Sequence, residues 1–456
     1  MTSTFRWTRR GWLRGLAAGM AGASGWARGA EADASADAGT GTVVVLTSYA
    51  EELSVRYQAL FERLHPGARV EILWRQSADA LAYLRRSRGE VDVYWAPAPG
   101  NFTALAAEGR FAALQAIRQD GPALAHAVAG QPIDDPQGRY AAFELAGYGI
   151  AYHPAAVQRL GRPAPTDWAD LAHPAYAGQI QIPIPGRIGF APVLIEALLQ
   201  GPGWEAGWAL LAALGANADF GAASDASPGP DQVVSGARAA RLTIDFFANQ
   251  AIAGGAPLAF VYPRRTAYNP AQIGVLADAP HPALAQAFAA LCLSEPGQTL
   301  LLHPDVRRLP VRPGLYAAHP ELPARPFAPG NLAYDGGLTR ERGGLVAALF
   351  DLALVQRHGE QAALWAALHR AEAARSGTGA LREARALLSA PPVSQAQQAD
   401  PALRQRFAWP ERRPGQDEPA PDPARGVLLA HWAAERDARL QAVRQILARE
   451  PAAGLA

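Results

Sequence analysis

Short apolar runs and amphipathic segments alternate along the chain from about residue 42. Residues 42–47, 68–74 and 91–95 are rich in β-branched and aromatic residues, as buried strands are. Ser48 stands where the N-cap of a following helix is expected. The apolar positions of that helix repeat at the 3.6-residue period and are Leu53, Tyr57, Leu60, Phe61 and Leu64. This alternation predicts a mostly parallel sheet with helices on its faces.

The alternation resumes after a polar, turn-rich stretch at 131–144. Residues 147–152 and 179–185 have the composition of strands, and the loop 186–191 leads into an amphipathic helix at 192–199. We therefore expect a second α/β region in the middle of the chain.

Two apolar or aromatic runs, 241–248 and 259–265, each carry charge. The first contains Asp245 and the second ends in Arg264 and Arg265. We predict from this apolar pattern that both are buried strands. Because charged groups at strand ends of α/β proteins tend to face the ligand cleft, we expect the two segments to form the floor and one wall of a small-molecule site. The alternative is a pair of ordinary core strands with solvated ends.

The C-terminal third changes character. Helical spacing of leucine and tryptophan predicts a helical extension at 326–390, and a segment rich in Pro, Gln, Asp and Ala at 391–424 is typical of a linker. A last helix within 425–456 carries its apolar residues mostly on one side. This helix could pack on the rest of the protein or bind a partner helix.

The N-terminus has the pattern of an export signal. Residues 1–32 combine basic residues, a weakly apolar Gly- and Ala-rich run, and small residues that place signal cleavage near Ala27 to Ala32. The pair Arg9 and Arg10, followed by Trp12, resembles the twin-arginine export motif; a general secretory signal is the alternative. We expect a periplasmic protein.

Composition removes several function classes. The 42 basic and 41 acidic residues of the 456-residue chain give a net charge of +1, which gives no support to a nucleic-acid-binding surface or a strongly acidic partner. The single cysteine, Cys292, lies in an apolar run and excludes an internal disulfide or a cysteine-cluster metal site. The ten histidines are scattered, and no nucleophile, nucleotide-loop or metal-ligand spacing appears. We therefore expect no enzyme, cofactor or bound metal.

The order of several landmarks resembles a known family, the periplasmic solute-binding proteins of ABC importers. It is similar to the branch that includes ferric-ion binders and binders of phosphorylated or phosphonate substrates, and within it to the phosphoglycerate-transport regulatory type, which also carries a helical C-terminal extension. The landmarks are Val45-Leu-Thr-Ser-Tyr49 with Glu52, Val91-Asp-Val-Tyr-Trp95, Gly147-Tyr-Gly-Ile-Ala-Tyr152, Pro165-Thr-Asp-Trp-Ala-Asp-Leu171, Pro174-Ala-Tyr-Ala-Gly178, Thr243-Ile-Asp-Phe-Phe247 and Leu309-Pro-Val-Arg312.

The resemblance implies an α/β, two-lobed periplasmic binding protein of type II with a helical C-terminal extension. Lobe one would be 42–145 plus 264–325 and lobe two 146–263, with hinge closure on a ligand. It implies a monomer that delivers its ligand to an ABC permease at the inner membrane. A ligand-sensing subunit for a membrane sensor kinase, or an enzyme with this fold, is the alternative.

The resemblance also bears on the ligand. Iron binders of this family use adjacent tyrosines where this chain has Phe246 and Phe247, which offer no oxygen. Ferric binding would need a site without a tyrosine pair, and one carboxylate beside two phenylalanines is a poor one. A small anionic organic solute, phosphorylated, phosphonate or carboxylate, fits better, because the loop before residue 192 offers backbone N–H groups at a helix start.

We predict ligand contacts on both sides of the cleft. Arg187 could supply a bidentate fork beside Ile188 and Gly189, while Asp245 could accept from ligand hydroxyls or an amine. For the aromatic members, core packing is the alternative role. The full predicted set is Thr47, Ser48, Tyr49, Trp95, Arg187, Ile188, Gly189, Ser224, Asp245, Phe246 and Tyr262.

Overall fold

The computed structural model describes residues 40–120, 123–221, 229–320, 322, 325–374, 378–409 and 422–449. The predicted export signal, its cleavage point and Ser224 lie outside the described residues. Among the described helices, none has both the length and the apolar character needed to cross a bilayer.

Lobe one begins with three parallel strands, and the later strands of the chain join them antiparallel. Strand β1 pairs in parallel with β2 on one side and β3 on the other, and helices connect them as the alternating pattern predicts. The elements in chain order are β1 (Gly41–Thr47), α1 (Glu51–Leu64), β2 (Ala68–Trp74), α2 (Ser77–Arg86), β3 (Val93–Ala96), α3 (Pro99–Ala107), α4 (Gln115–Asp120) and the hairpin β4 (Ala127–Val128) to β5 (Gln131–Pro132).

Aromatic residues fill both faces of this sheet. Neighbouring residues of a strand point to opposite faces, so Tyr94 packs against Phe102 of α3 while Trp95 packs against Tyr57 of α1. Phe143 completes the second cluster, with its ring 5.0 Å from that of Trp95. The aromatic residues of 91–95 therefore form the core of this lobe.

Two long antiparallel strands connect the lobes. β6 (Tyr140–Tyr152) pairs along its first half with β10 (Tyr268–Val275) and along its second half with β8 (Ala240–Ile244). The sheet order is β2-β1-β3-β10-β6-β8-β7, and β9 (Ala259–Val261) and β11 (Leu309–Pro310) also pair with β6. β6 is therefore the strand through which both lobes are joined.

Glycine is required where β6 crosses between the lobes. A Cβ on Gly149 would lie 2.2 Å from the carbonyl oxygen of Val261, and one on Gly147 would lie 2.5 Å from the ring of Tyr262. Such contacts are far below van der Waals distance. The missing side chains allow β9 and the Tyr262 ring to lie against the crossover strand.

Lobe two surrounds the second half of β6. Its short strand β7 pairs in parallel with β8. The remaining elements are α5 (Pro154–Arg159), two 3₁₀ turns (Trp168–Ala172 and Pro174–Tyr176), β7 (Ile180–Gln181), α6 (Ala191–Gln200), α7 (Trp204–Asn217), α8 (Asp231–Val234) and α9 (Asp245–Ala253).

After β10 the chain returns to lobe one and then continues into the helical extension. The extension begins near residue 330, and a π-helical turn (Asp351–Val355) follows its first helix directly. The elements are α10 (Pro282–Leu293), α11 (Glu295–Leu300), α12 (Pro313–Ala318), α13 (Gly336–Phe350), α14 (His358–Ala374), α15 (Gly379–Ser389), α16 (Gln395–Ala399), α17 (Pro401–Arg406) and α18 (Pro423–Arg449).

The extension shares one hydrophobic core with lobe two. Trp208 of α7, Leu349 of α13, Trp365 of α14 and Val443 of α18 belong to the same buried cluster. The last helix therefore packs on the protein, which is the first of its two predicted roles. The segment predicted as a linker contains α16 and α17.

Other local predictions were wrong in detail. The strand at 241–248 ends at Ile244, and Asp245 is the first residue of α9, because an apolar run can continue as either element. Ser48 does not cap α1: the N-cap is Ala50, and the Ser48 hydroxyl lies 3.2 Å from that of Ser77. The run 179–185 contributes only the two residues of β7, and the polar stretch 131–144 contains the start of β6.

Candidate functional site

Side chains from both lobes meet around one arginine at the crossover. Arg308, just before β11, forms an ion pair with Glu144 of β6, which also accepts a 2.9 Å hydrogen bond from the hydroxyl of Tyr49. The guanidinium carbon lies 5.0 Å from the ring centre of Tyr49 in lobe one and 4.6 Å from that of Phe246 in lobe two. We call these residues, with Asp245 and Tyr262, the interlobe cluster.

Burial sets the charge states of the ion pair. Desolvation raises the pKa of Glu144 above its ordinary value, against the pull of Arg308. Desolvation works to lower the pKa of Arg308, but the Coulombic attraction of Glu144 and Tyr49 and a hydrogen bond to Glu144 raise it, so the guanidinium stays charged. The pair thus lies within lobe one, and Arg308 also faces Phe246 of lobe two.

Asp245 lies beside this pair and is itself buried. One of its carboxylate oxygens accepts hydrogen bonds from the backbone N–H of Gly147 at 2.7 Å and from the hydroxyl of Tyr262 at 3.1 Å. Burial raises the pKa of Asp245 to about 7, although both of these donors and Arg308 favour the charged form. Its charge therefore changes near neutral pH.

A strip of partly buried phenylalanines leads from the cluster to the loop at 186–190. The ring centres of Phe246 and Phe247 are 4.3 Å apart, and that of Phe190 lies 5.8 Å from Phe247. The strip gives lobe two flat apolar surface next to Arg308.

The loop at 186–190 has fewer free backbone N–H groups for binding an anion than the sequence predicts. The backbone N–H groups of Arg187 and Ile188 both donate to the carbonyl of Ile184, at 2.9 and 3.0 Å. The Arg187 side chain is 46% exposed and lies 3.8 Å from Asp351 of the extension. Ile188 is buried and Gly189 is exposed. The loop thus faces the extension.

The other predicted residues of lobe one are packed inward. Thr47 is buried, and its hydroxyl accepts from the backbone N–H of Tyr49 at 3.1 Å. Trp95 is 0% exposed in the aromatic core, where it could not offer a surface to a ligand. Of the predicted set, the structure therefore brings together Tyr49, Asp245, Phe246 and Tyr262.

Two residues of the cluster were missed from the sequence. Glu144 lies in the stretch that reads as polar turns, and Arg308 directly precedes the landmark at 309–312. A buried carboxylate and a buried arginine that pair across 164 positions leave no local signal. Only the antiparallel pairing of β11 with β6 brings them into contact.

A cavity of about 350 Å³ opens next to the cluster. Tyr268 connects the two: it lines the cavity, and its ring stacks on that of Tyr262 at 6.0 Å. The walls come from α3, the β4–β5 hairpin, β10, Val193 of α6 and residues 332–340 of the extension. None of the predicted site residues lines it.

In the described part of the chain, no group of three or more His, Cys, Asp or Glu side chains could hold a metal ion. The rings of Phe246 and Phe247, for which the sequence resemblance implied the position of a tyrosine pair in iron binders, pack on each other.

A sequence profile of the bacterial extracellular solute-binding proteins matches residues 99–326, half of the chain. The chain belongs to this family. This solute-binding protein is 32% identical over 272 residues to the Phosphoglycerate transport regulatory protein PgtC of Salmonella typhimurium, a match that covers 58% of the chain and 66% of PgtC. The chain thus spans slightly less than two thirds of the curated relative that it matches.

Solved structures of low identity share the fold. The periplasmic binding protein AfuA of Actinobacillus pleuropneumoniae, with exogenous fructose-6-phosphate bound, has a TM-score of 0.50 and 17% identity, and covers 65% of this solute-binding protein and 93% of its own chain. A Bordetella ferric binding protein has a TM-score of 0.51 and 19% identity, and the match covers 68% of this solute-binding protein and 98% of the Bordetella chain. These matches confirm the predicted two-lobed α/β fold, and the helical C-terminal extension is present.

Proposed function

We propose that this protein is the periplasmic substrate-binding component of an ABC transporter. It captures a small anionic organic solute (phosphorylated, phosphonate or carboxylate) by closing its two lobes and delivers it, as a monomer, to a permease in the inner membrane. Family membership supports the binding role, and the name of PgtC, which concerns phosphoglycerate transport, supports the class of solute.

The interlobe cavity is the observation that carries the proposal. Its volume of about 350 Å³ lies in the range of small-molecule pockets, roughly 300–1,000 Å³. A bare ferric ion needs no such space and would need several oxygen or nitrogen ligands. The cavity therefore favours an organic solute.

The interlobe cluster supplies the contacts that change when the lobes close. We propose that Tyr49, Asp245, Phe246 and Tyr262 act there, with Arg308 as the central cation. Ser48 in lobe one and Arg187 and Gly189 in lobe two would form the rim. Thr47, Ile188 and Trp95 are buried and would act through packing, Trp95 beneath Tyr49.

A thermal-shift screen tests the proposed function. The protein without residues 1–32 is heated alone and with 3-phosphoglycerate, fructose 6-phosphate, 2-aminoethylphosphonate, citrate or ferric ion. We expect at least one organic anion to raise the melting temperature, because a ligand at 100 times its Kd stabilises the folded state by about 2.7 kcal/mol. A shift with ferric ion alone, or with nothing in the panel, would overturn the proposal.

The word "regulatory" in the name of PgtC favours a second candidate, a ligand-sensing subunit for a membrane sensor kinase. Binding alone does not separate the two roles. Neighbouring genes do: permease and ATPase genes indicate transport, whereas a histidine-kinase gene indicates sensing.

Export by the twin-arginine route, with cleavage near Ala27 to Ala32, remains part of the proposal. Replacing Arg9 and Arg10 by lysine should hold the precursor in the cytoplasm, as cell fractionation would show. Unchanged export would indicate the general secretory route.

A further inference from the structure

We infer that the C-terminal extension completes the solute site: the cavity takes a small anion that carries a hydroxyl group, with Arg340 binding the anionic group and Gln272 accepting from the hydroxyl. This inference rests on the proposed function and names the substrate class more closely. Residues 332–340 lie beyond the part of the chain that the family profile matches, which ends at residue 326.

The N-termini of two helices line the part of the cavity where we place the anionic group of the solute. Pro99 and Gly100 open α3, and Gly336 and Gly337 open α13; all four line the cavity. No described group accepts from the backbone N–H groups of the three glycines. Helix N-termini carry a partial positive charge, so both favour an anion at this place.

Arg340 adds a full positive charge at the same end. Its side chain is exposed, passes close to Gly100 and reaches back toward Gly336 and Gly337. Within the described residues Arg340 forms no ion pair. An unpaired guanidinium beside two helix N-termini has the geometry to bind a phosphate or carboxylate in bidentate fashion.

Gln272 of β10 is a second polar residue of the cavity wall. The residue is only 4% exposed, and its side-chain N–H donates to the carbonyl of Ile133 at 2.9 Å. The amide oxygen is buried without any hydrogen-bond partner, although Gln272 lines the cavity. Buried acceptors are almost always satisfied, and a ligand hydroxyl is a donor of the right size for this one.

The two acids of the cavity are already engaged. Asp134 accepts from the backbone N–H of Ala142 and pairs with His126. Asp335 caps α13 by accepting from the backbone N–H of Leu338 at 3.0 Å. Both acids thus have hydrogen-bond partners within the protein, whereas Arg340 forms no ion pair with the described residues and has its donors available to a ligand.

The extension wall is fixed to lobe two. The backbone N–H of Asp335 donates to the side chain of Gln200 in α6 at 2.8 Å, and Tyr334 is buried with its hydroxyl 2.7 Å from that of Thr339. Lobe closure would therefore carry this wall with lobe two toward α3. Arg340 would then approach a solute held against lobe one.

Two matched ligand pairs test the inference by isothermal titration calorimetry. The first pair is 3-phosphoglycerate and 3-phosphonooxypropanoate, the same molecule without its hydroxyl group; the second is citrate and tricarballylate, which differ in the same way. The wild type should bind at least one hydroxylated member more tightly than its analogue. Arg340→Ala should weaken both members of that pair by about tenfold or more, the loss of one charge-assisted hydrogen bond.

Gln272→Leu should weaken only the hydroxylated compound and so remove the discrimination within the pair. Arg370→Ala, which replaces an exposed arginine of α14 outside the cavity, is the control and should leave affinity unchanged. Melting curves of the unliganded variants show that each is folded.

The outcomes separate this inference from the proposed function. Unchanged affinity in both Arg340→Ala and Gln272→Leu overturns the inference while the binding function stands. Wild-type protein that binds 2-aminoethylphosphonate, but none of 3-phosphoglycerate, citrate and fructose 6-phosphate, also overturns the inferred ligand class alone. If no anion binds, both proposals fall.

Discussion

Asp245 shows how much a single residue depends on its surroundings. Its carboxyl group is buried at the junction of the lobes and accepts hydrogen bonds from Gly147 and Tyr262. Burial raises its pKa to about 7, compared with about 3.9 for an unfolded aspartate. Between these values the folded protein binds a proton that the unfolded chain does not.

The free energy of unfolding should therefore fall as pH rises between about 4 and 7. Stability decreases with pH where the native state binds more protons, by up to about 1.4 kcal/mol per pH unit. The contribution of Asp245 is fully present below about pH 4 and is lost above pH 7. From pH 5 to pH 8 we expect a loss of roughly 2–3 kcal/mol from this group.

Urea denaturation of wild type and Asp245→Asn at pH 5 and pH 8 measures this loss. Asparagine keeps an acceptor for both donors but does not titrate. From pH 5 to pH 8 the free energy of unfolding of the wild type should therefore fall more than that of Asp245→Asn. An equal difference at both pH values would show that Asp245 does not titrate in this range.

At the scale of elements, a buried ion pair fastens the extension to lobe two. Arg342 of α13 contacts both carboxylate oxygens of Glu196 in α6, at 2.9 and 2.8 Å, and also donates to Gln398 of α16 at 2.8 Å. Both charged side chains are almost fully buried. The pair therefore connects three helices that are far apart in sequence.

Arg342→Met should lower the free energy of unfolding by about 3–5 kcal/mol, because it leaves the charge of Glu196 buried without its partner. Adding Glu196→Leu should restore much of the loss. Arg85→Met is the control: it breaks a half-exposed pair with Glu108 and should cost about 1 kcal/mol or less. Equal losses in the buried and the exposed variants, measured by urea denaturation, would contradict this role.

The elements differ in how readily local pattern predicts them. α1, β2 and α6 carry strong apolar periodicity, and their predicted limits lie within one or two residues of the structure. Only the second half of β6 was predicted as a strand. Its first half, 140–146, gains its strand conformation from pairing with β10. The same holds for the two-residue strand β7, which exists only where β8 lies beside it.

For the molecule as a whole, the shared core makes the extension part of lobe two. The described residues belong to one compact unit, and the core that contains Trp204 and Trp208 of α7 also contains Leu345 and Leu368 of the extension. An independent extension would bury its apolar residues within itself. Here neither part has a complete core without the other.

Removal of residues 330–456 should therefore prevent lobe two from folding. The truncated chain would expose the surfaces of α6 and α7 that the extension covers, and large buried residues contribute about 1.5–3 kcal/mol each. We expect aggregation or loss of near-ultraviolet circular dichroism. Calorimetry of the intact protein should show lobe two and the extension unfolding in one transition; a soluble truncated protein with native near-ultraviolet signal would contradict this.

The sequence by itself predicted the alternating α/β regions and the helical extension, because periodicity is a local property. The two lobes were implied by the resemblance of its landmarks to a known family. The tertiary structure decided that Asp245 starts a helix, that Trp95 is core, and that Glu144 and Arg308 pair where β11 lies beside β6. It also placed the extension against the cavity. Contacts between distant segments leave no local pattern, and only the pairing of β6 with its neighbours and the packing of α13 on α6 bring these residues together.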